Sequence, residues 1–495
     1  MSESEALWLA IDQGTQSSRA AVIDEHGQLL ELSKVPVSLN RVSNVMVEQD
    51  GTELIDSIWQ AIGQVVSAEN QGRIHGAGLA TQRSSVIAWE RQTGRPLSNV
   101  ISWQDVRGHE FISSLQPEIA DRIKRTSGLP LSPHYGASKI RWLVDRLGSQ
   151  GIDVESGDVC IGPLSSFLLS NLVDGDGPCL VDHANGGRTQ LMSFESRDWD
   201  DRSLSSFEIP RAILPETRPT QFNFGMFSGT SIPIGVCQGD QTAAVFGAGA
   251  LSPGTAHINL GTGGFVLAPI DDLARIRERR ETPLLISLAN STQQGADFIL
   301  EGTINGAGSA IKWAAEQLKL ESVERNLDSR AKQVTDPPLF FNAVGGIGSP
   351  IWNSSPPGSL ANRWFDQDSN PIDQPPPDQA MVSVLESVVF LVALNLETMR
   401  DLEIKVSRLR LTGGMARSRE LCQRLADLSG CEIVRPLESE STLLGIARLL
   451  GETIGDTTDH LEAHETLGQM FVPRADPSLE RRYRIFKNLI MGSKA

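Results

Sequence analysis

The stretch LWLAIDQGTQSSRAAVID, residues 7–24, indicates both the fold class and a first functional element. Its apolar runs LWLAI and RAAVI have strand character and flank the polar loop DQGTQSS, which Asp12 opens. Gly14 allows a tight turn and a close approach of the backbone to a ligand. The pattern predicts a loop that binds phosphate beside a carboxylate that holds a metal ion, and a plain β-hairpin with a polar turn is the alternative. The loop's side-chain donors are those of Thr15, Gln16, Ser17, Ser18 and Arg19.

Two later segments repeat this layout of an apolar strand followed by a glycine turn. AHINLGTGGFVLA, residues 256–268, places Gly261-Thr262-Gly263-Gly264 between two apolar strands. RLRLTGGMARSRELCQRLADL, residues 408–428, runs from a strand through Gly413-Gly414 into an amphipathic helix. One Gly-Thr-Gly is weak evidence, but two such hairpins favour two related half-domains that face one ligand. The sequence has no Walker A loop and no complete G-x-G-x-x-G after a strand, which disfavours P-loop and dinucleotide-binding proteins.

The length of 495 residues is too great for one hydrophobic core and favours two domains. We place their boundary at residue 247, which gives domains 1–247 and 248–495. Alternating strands and helices indicate an α/β class. In the first domain the pattern predicts strands near 7–11, 19–24 and 28–36 and a strand over 74–82, IHGAGLATQ.

Helices are predicted at three further places. Residues 51–69 read as an amphipathic helix with an apolar stripe, and residues 239–251 as a helix that leads from the first domain into the second. A proline-rich loop over 353–378 precedes a long helix that starts near Gln379. The stripe on the first helix consists of Leu54, Ile58, Ile62 and Val65.

Composition excludes several classes of function. The formal net charge of -17 disfavours nucleic-acid and anionic-membrane binding. The N-terminus MSESEALW lacks the features of an export signal. The most apolar run, VVFLVALNL at 388–396, is too short to span a bilayer and predicts a buried helix. Five scattered cysteines without a C-x-x-C pair are typical of reduced thiols in a cytoplasmic protein.

Several spaced motifs follow one another along the chain: AIDQGTQSSRA, TQRSSVIAWERQTGRPLSNVISWQ, QGDQTAAVFG, NLGTGGFVL, LEGTINGAG, GGIGSPIW and LTGGMARS. In this order they resemble the FGGY family of carbohydrate kinases from end to end, and within it the glycerol kinases. The resemblance implies an actin-like fold, with two ribonuclease H-type α/β domains around a nucleotide cleft. It also implies transfer of the γ-phosphate of ATP, with Mg²⁺ as cofactor, to a small polyol or sugar, with glycerol as the leading acceptor. A homodimer or tetramer is compatible with it.

The resemblance also assigns roles to residues. Asp240 matches the family's catalytic base, although an aspartate at a helix start is also a favoured N-cap. Asp12, together with Asp240, matches the metal position, for which a turn-forming aspartate is the alternative. The residues that match the nucleotide site are Gly14, Thr15, Gln16, Arg19, Thr262, Gly263, Gly308, Lys312, Gly413, Gly414 and Ser418, of which Gly308 could instead serve helix packing. Those that match the acceptor site are Arg83, Ser84, Trp103, His134, Tyr135, Asp240, Gln241 and Phe265, of which Trp103 and Phe265 could instead be core aromatics.

Three departures from the family pattern bear on the acceptor and on regulation. Ser84 stands where glycerol kinases usually have Glu, so a carboxylate that accepts two hydroxyl hydrogen bonds is lost. The family's Tyr aligns with His134, one place before Tyr135. A pentulose or tetritol is therefore an alternative acceptor. MFSGTSIPIG, residues 226–235, is shorter than the family's fructose-bisphosphate loop and lacks its Lys, which predicts no inhibition by that sugar phosphate.

An alternative from another class is an actin-like nucleotide-gated sensor without phosphotransfer, because fold alone does not decide function. The residues that discriminate are Arg83, Trp103 and Asp240, which a pure nucleotide switch does not need.

Overall fold

A computed structural model describes residues 6–175, 179–247, 249–278, 282–320, 323–353, 356–437, 440–454 and 468–492. By its internal contacts the chain divides into two units. The first contains residues 1–250, 286–298 and 440–466, and the second contains residues 251–285, 299–439 and 467–495. The boundary at residue 247 stays a prediction, and residue 248 lies outside the described residues.

The main sheet of the first unit has the strand order β14-β6-β1-β2-β3. Its first three strands lie where the sequence predicted strands and form an antiparallel meander, and β6 pairs in parallel with both β1 and β14. Strand β1 is buried along its whole length, because it lies in the middle of the sheet. The strands are β1 (Leu7–Gln13), β2 (Ser17–Asp24), β3 (Leu29–Pro36), β6 (Ile74–Thr81) and β14 (Ile234–Gly239).

Smaller sheets complete the strands of this unit. One has the order β4-β5-β8-β7-β9, and two are pairs, β10 with β13 and β11 with β12. Their bounds are β4 (Asn40–Arg41), β5 (Val47–Gln49), β7 (Val86–Glu90), β8 (Val100–Ile101), β9 (Val159–Pro163), β10 (Leu180–Asp182), β11 (Met192–Ser193), β12 (Asp198–Trp199) and β13 (Glu216–Arg218).

The first predicted helix is present but shorter than expected. Asp50 begins it as N-cap, accepting hydrogen bonds from the N–H groups of Thr52 and Glu53, and its predicted apolar stripe is buried. It ends at Val65, four residues before the predicted end. The helices of the first unit are α1 (Gly51–Val65), α2 (His109–Ser114), α3 (Pro117–Ser127), α4 (Gly136–Ser149), α5 (Leu164–Leu172), α6 (His183–Gly186), α7 (Asp201–Phe207), α8 (Asp240–Gly247) and α14 (Ser441–Ile454).

Helices α8 and α14 cross with their backbones in contact, and glycine makes this crossing possible. A Cβ atom on Gly445 would overlap the carbonyl oxygen of Ala243, and one on Gly247 would overlap that of Ser441. Residues 440–454 thus pack with the first unit although they lie late in the sequence. The crossing fixes the helix that begins at Asp240.

The main sheet of the second unit has the order β17-β18-β16-β15-β22-β23-β24. Its inner order β23-β22-β15-β16-β18 repeats that of the first sheet. Strands β15, β16 and β18 form an antiparallel meander, β22 pairs in parallel with β15, and β23 pairs in parallel with β22. This repetition confirms two related α/β halves. The strands are β15 (Gly254–Leu260), β16 (Gly264–Pro269), β17 (Leu285–Ser291), β18 (Ala296–Ile304), β22 (Val406–Thr412), β23 (Glu432–Pro436) and β24 (Gly468–Phe471), of which residues 286–298 group with the first unit.

The predicted proline-rich loop contains two short strands of a sheet in the order β19-β20-β21. Its strands are β19 (Leu339–Phe340), β20 (Trp364–Phe365) and β21 (Pro371–Ile372). Strand β20 pairs in antiparallel fashion with both β19 and β21, so part of the loop has regular structure. The proline pattern alone does not indicate this pairing. The helices of this unit are α9 (Leu273–Glu278), α10 (Gly308–Gln317), α11 (Val323–Gln333), α12 (Pro377–Asp401), α13 (Arg419–Ser429) and α15 (Pro477–Gly492).

Helix α12 is longer than its most apolar run of nine residues suggests. At 25 residues it is, among the described residues, the one helix long and apolar enough to cross a membrane. Yet 94% of its most apolar window is buried inside the structure. The prediction of a buried helix at 388–396 is therefore confirmed.

The expectation of five reduced cysteines is wrong for one pair. Cys160 and Cys179 form a disulfide, whereas Cys237, Cys422 and Cys431 are free and buried. The two bonded residues lie 19 positions apart, at β9 and just before β10. Sequence spacing did not indicate the pair because only the fold brings these two segments together.

Candidate active site

Asp240 and Arg83 lie at the carboxyl ends of neighbouring parallel strands. Arg83 follows β6 by two residues, and Asp240 follows β14 directly. The ends of parallel strands meet at one edge of a sheet, where ligands of α/β proteins bind. The Nε atom of Arg83 lies 3.8 Å from Oδ1 of Asp240. Two residues 157 positions apart in the sequence are thereby joined.

The surroundings of Asp240 affect its protonation in opposite directions. Burial raises the pKa of its carboxyl, while the guanidinium groups of Arg83 and Arg188 and the N–H of Gln241 oppose that shift. The Gln241 N–H donates to Oδ1 over 2.7 Å at the start of α8. Asp240 is itself the first residue of α8 and accepts from the N–H next to it, so this bond is not that of an N-cap, which accepts from two or three residues further on. A quarter of its side chain remains exposed. Its role as a base stays a prediction.

Asp12 is a buried carboxylate, 1% exposed, on β1. Its Oδ2 atom pairs with Arg19, whereas Oδ1 is buried without a hydrogen-bond partner among the residues that the structure describes. Burial raises the pKa of Asp12 to about 6; Arg19 opposes this, and the nearby Asp240 adds to it. A buried acidic oxygen that lacks a partner, close to a second carboxylate, fits a hard divalent cation such as Mg²⁺.

The first glycine turn closes on itself between β1 and β2. The Gly14 N–H donates to the Ser17 carbonyl over 3.0 Å. The carbonyl of Thr15 accepts from Gln49 over 3.0 Å, and its hydroxyl accepts from the indole N–H of Trp103 over 2.9 Å. The predicted phosphate turn and the predicted acceptor wall are thus in direct contact. The side chain of Gln16 is exposed.

Arg19 pairs with carboxylates on both sides, Asp12 and Glu440. The role of Arg19 as a phosphate ligand stays a prediction. Glu440 was missed because it lies 421 residues from Arg19 and no local motif indicates it. Burial lowers the pKa of the guanidinium of Arg19, but the two carboxylates outweigh that cost and the net shift is upward.

The predicted acceptor residues occupy different environments. Trp103 is 42% exposed, so it is not a core aromatic. Tyr135 is buried, and the guanidinium carbon of Arg188 lies 5.2 Å from the centre of its ring. His134 is exposed, so the buried ring in this segment is that of Tyr135. The sequence did not predict Arg188 as a site residue, because it lies 53 positions from Tyr135 and only the fold brings its guanidinium onto the ring.

Ser84, Gln241 and Phe265 complete the predicted acceptor residues. Ser84 has a left-handed backbone with φ of 65°, and its hydroxyl lies 3.5 Å from the carbonyl of Arg188. Gln241 is half-buried beside Asp240 on α8. Phe265 lies on β16 in the second unit and is also half-buried. Their contacts with an acceptor stay predictions.

In the second unit, three predicted nucleotide elements meet at the turn between β15 and β16. The N–H groups of Gly308 and Ser309, at the start of α10, donate to the carbonyls of Gly261 and Thr262 over 2.9 and 3.0 Å. Gly413 has a φ of 90°, and a Cβ atom there would lie 2.5 Å from the carbonyl oxygen of Leu260. The turn, the start of α10 and the end of β22 are therefore in contact.

The remaining residues predicted to bind the nucleotide differ in their packing, hydrogen bonds and exposure. A Cβ atom on Gly308 would lie 2.7 Å from the Gly261 oxygen, which supports the packing alternative for this residue. The hydroxyl of Ser418 caps α13 and bonds to Asp328. Lys312 is exposed on α10, whereas Gly263 is half-buried and Gly414 begins a short 3₁₀ turn.

Comparisons with known proteins agree with this architecture. The family model described as the FGGY family of carbohydrate kinases, N-terminal domain, matches residues 7–247, and its C-terminal domain matches residues 256–451. The glycerol kinase of Geobacter sp. (strain M21) is 32% identical over 485 residues, covering 95% of both chains.

Two solved structures show the same fold. Plasmodium falciparum glycerol kinase with ADP has a TM-score of 0.87 at 23% identity, over 99% of this chain and 98% of that one. Ligand-bound xylulose kinase from Lactobacillus acidophilus has a TM-score of 0.82 at 16% identity, over 98% and 97%. These likenesses confirm the actin-like fold of two α/β domains. The chain belongs to the FGGY family of carbohydrate kinases and is a phosphotransferase with an alcohol group as acceptor.

Proposed function

We propose that this kinase transfers the γ-phosphate of ATP to a hydroxyl of a small polyol or sugar, with glycerol as the leading acceptor. The observation that carries the proposal is the pairing of Arg83 with Asp240 at the ends of β6 and β14. A partly exposed carboxylate beside a guanidinium offers an acceptor and a donor of hydrogen bonds to an alcohol. The glycerol kinases among the relatives favour glycerol.

Asp240 acts as the general base in this mechanism. Its carboxylate accepts the proton of the attacking hydroxyl, and burial raises its pKa, which makes it a stronger base. Arg83 opposes the shift, because its positive charge favours the ionised carboxylate. Because phosphoryl transfer requires little covalent participation, the main contribution of these residues is to align the hydroxyl.

Asp12 would hold Mg²⁺, directly or through water, through the oxygen that has no hydrogen-bond partner among the described residues. When bound, the cation neutralises charge on the transferring phosphate. Arg19 holds the other oxygen and thereby orients the carboxylate. The backbone N–H groups of the two glycine turns bind phosphate, and the segment at Gly413-Gly414 binds the nucleoside.

A larger acceptor is the second candidate, and Ser84 favours it. The side chain is small and its left-handed backbone fixes where it projects. Glycerol kinases usually carry a carboxylate at this position, whose loss would cost roughly 1.5–3 kcal/mol in hydrogen bonding to glycerol. A pentulose or tetritol, which carries a further hydroxyl, is therefore the alternative acceptor.

A coupled assay of ADP release over a panel of acceptors tests the proposal. Glycerol, erythritol, xylulose, ribulose and ribitol are compared by kcat/KM at saturating Mg-ATP. We expect acceptor-dependent ADP release, greatest for glycerol. Highest turnover with a pentulose or tetritol would support the second candidate, and ADP release that no member of the panel stimulates would contradict both.

A further inference from the structure

Lys139 lies on α4 with its side chain fully buried, at 0% exposure. Its ammonium donates to three backbone carbonyls, those of Ser84 over 3.0 Å, Ser102 over 2.9 Å and His134 over 2.8 Å. An ammonium has three N–H donors and no acceptor, so these three carbonyls satisfy it completely. Such an arrangement offsets the cost of burying the charge.

The three carbonyls belong to three separate segments, and each segment carries proposed acceptor residues. Ser84 directly follows Arg83, Ser102 precedes Trp103, and His134 precedes Tyr135. The segments follow β6, follow β8 and precede α4, so local sequence does not hold them together. Lys139 is the shared hydrogen-bond donor of all three.

We propose that Lys139 is a positioning residue whose ammonium holds the three segments of the acceptor site in register, so that its protonation sets the affinity for the acceptor. This inference rests on the proposed function, because it takes the acceptor site to be formed by these segments. Lys139 itself touches backbone, so it acts through Arg83, Trp103 and Tyr135.

The charged groups that face Lys139 are Asp105, Arg107 and His134. Burial lowers the pKa of Lys139 to about 7; Arg107 lowers it further, and Asp105 opposes the shift. Asp105 is itself paired with Arg107, whose Nη2 lies 2.7 Å from Oδ2. The His134 side chain is exposed at its surface. Partial burial of its ring and the nearby Lys139 ammonium nevertheless lower its pKa, and the Asp105 carboxylate opposes them.

Deprotonation leaves the amine with two N–H donors and a lone pair for three carbonyls. One segment then loses its hydrogen bond, and the lone pair faces a carbonyl oxygen. The acceptor site is expected to loosen as pH rises through about 7. The KM for the acceptor should therefore rise with pH, while the KM for ATP should not follow it.

The experiment measures acceptor KM from pH 6.5 to 9 at saturating Mg-ATP, using glycerol or the panel member with the highest turnover. Wild type, Lys139→Met and a control on the same helix, Arg146→Met, are compared; Arg146 is exposed. We expect a wild-type KM that rises with pH and a Lys139→Met KM at pH 6.5 about tenfold higher or more, the equivalent of one charge-assisted hydrogen bond. The variant's KM should no longer vary with pH, and Arg146→Met should behave as wild type.

A wild-type acceptor KM that is constant from pH 6.5 to 9 would overturn the proposal, and this measurement does not depend on whether Lys139→Met folds. So would a Lys139→Met protein with unchanged acceptor KM. Trp103→Ala separates this inference from the proposed function. If Trp103→Ala raises the acceptor KM and Lys139→Met does not, only the role of Lys139 is wrong; if neither does, the acceptor site itself is wrong.

Discussion

The Nε atom of Arg83 and the Oδ1 atom of Asp240 lie 3.8 Å apart, at the ends of two strands that pair in parallel. The same carboxylate contributes to the raised pKa of Asp12. A proposed base, its guanidinium partner and a proposed metal ligand are thus coupled within the first unit.

Asp12→Asn should weaken the use of Mg²⁺. The substitution removes the negative charge from the buried side chain whose Oδ1 has no partner among the described residues. We expect the apparent affinity for Mg²⁺, measured by titrating the metal at fixed ATP, to fall about 10- to 100-fold. Asp56→Asn, at an exposed position of α1, is the control and should titrate as wild type. An unchanged Mg²⁺ titration for Asp12→Asn would remove Asp12 from the metal site.

Ser84→Glu should distinguish the two candidate acceptors. A glutamate there can accept hydrogen bonds from two hydroxyls of glycerol, and one charge-assisted bond corresponds to about 10- to 100-fold in affinity. If glycerol is the acceptor, its KM should fall by about that factor, and KM values of pentuloses should rise because their space is filled. A KM for glycerol that rises instead would argue against placing glycerol beside Ser84.

Gly445→Ala should destabilise the first unit. The new Cβ atom overlaps the carbonyl oxygen of Ala243, so α8 and α14 must move apart. We expect a loss of about 1–3 kcal/mol in the free energy of unfolding, as overpacking usually costs. The control is Gly148→Ala on α4, where a Cβ atom meets nothing within 4 Å. A thermal melt that ranks Gly445→Ala at or above Gly148→Ala would show that this crossing tolerates a side chain.

His257 should make the protein less stable in acid. It is buried on β15, and burial, with a smaller contribution from Arg410, lowers its pKa to about 3 from 6.5. Between these values the unfolded chain binds a proton that the folded chain does not, so stability is lost as pH falls below 6.5. The expected slope for this one group is about 1.4 kcal/mol per pH unit.

His257→Leu should reduce this loss. Neither ring nitrogen of His257 has a hydrogen-bond partner among the described residues, so the substitution breaks no such bond. The difference in Tm between pH 7 and pH 5.5 should be smaller in His257→Leu than in wild type. His109→Leu, at an exposed histidine of α2, should leave that difference unchanged. An equal difference in His257→Leu would mean that this histidine does not contribute to the acid sensitivity.

Local pattern was sufficient to predict the elements whose apolar residues recur with a clear period. The hairpin around Gly14, the stripe of α1 from Leu54 to Val65 and the strand β6 are where the sequence placed them. These elements depend on neighbours within a few residues, so the sequence contains their signal. Helix α1 stops early because Val66 adopts an extended backbone, which the apolar period does not indicate.

Contacts between distant segments could not be predicted in this way. Glu440 reaches Arg19, Lys139 reaches Ser84 and Ser102, and Cys160 reaches Cys179 only because the fold brings their segments together. The motif resemblance predicted which residues form the site, but it did not predict which residues bond to them. Lys139 in particular lies inside an ordinary amphipathic helix, where a lysine is usually exposed.

If Asp240 is the general base, its loss must slow the chemical step, which is measured as kcat for Asp240→Asn with Mg-ATP and glycerol, or with the best acceptor of the panel. The substitution keeps the shape of the side chain and removes its ability to take a proton at neutral pH. We predict that kcat falls about 10²- to 10⁴-fold while the KM for ATP stays close to wild type. Turnover at the wild-type rate would contradict the assignment.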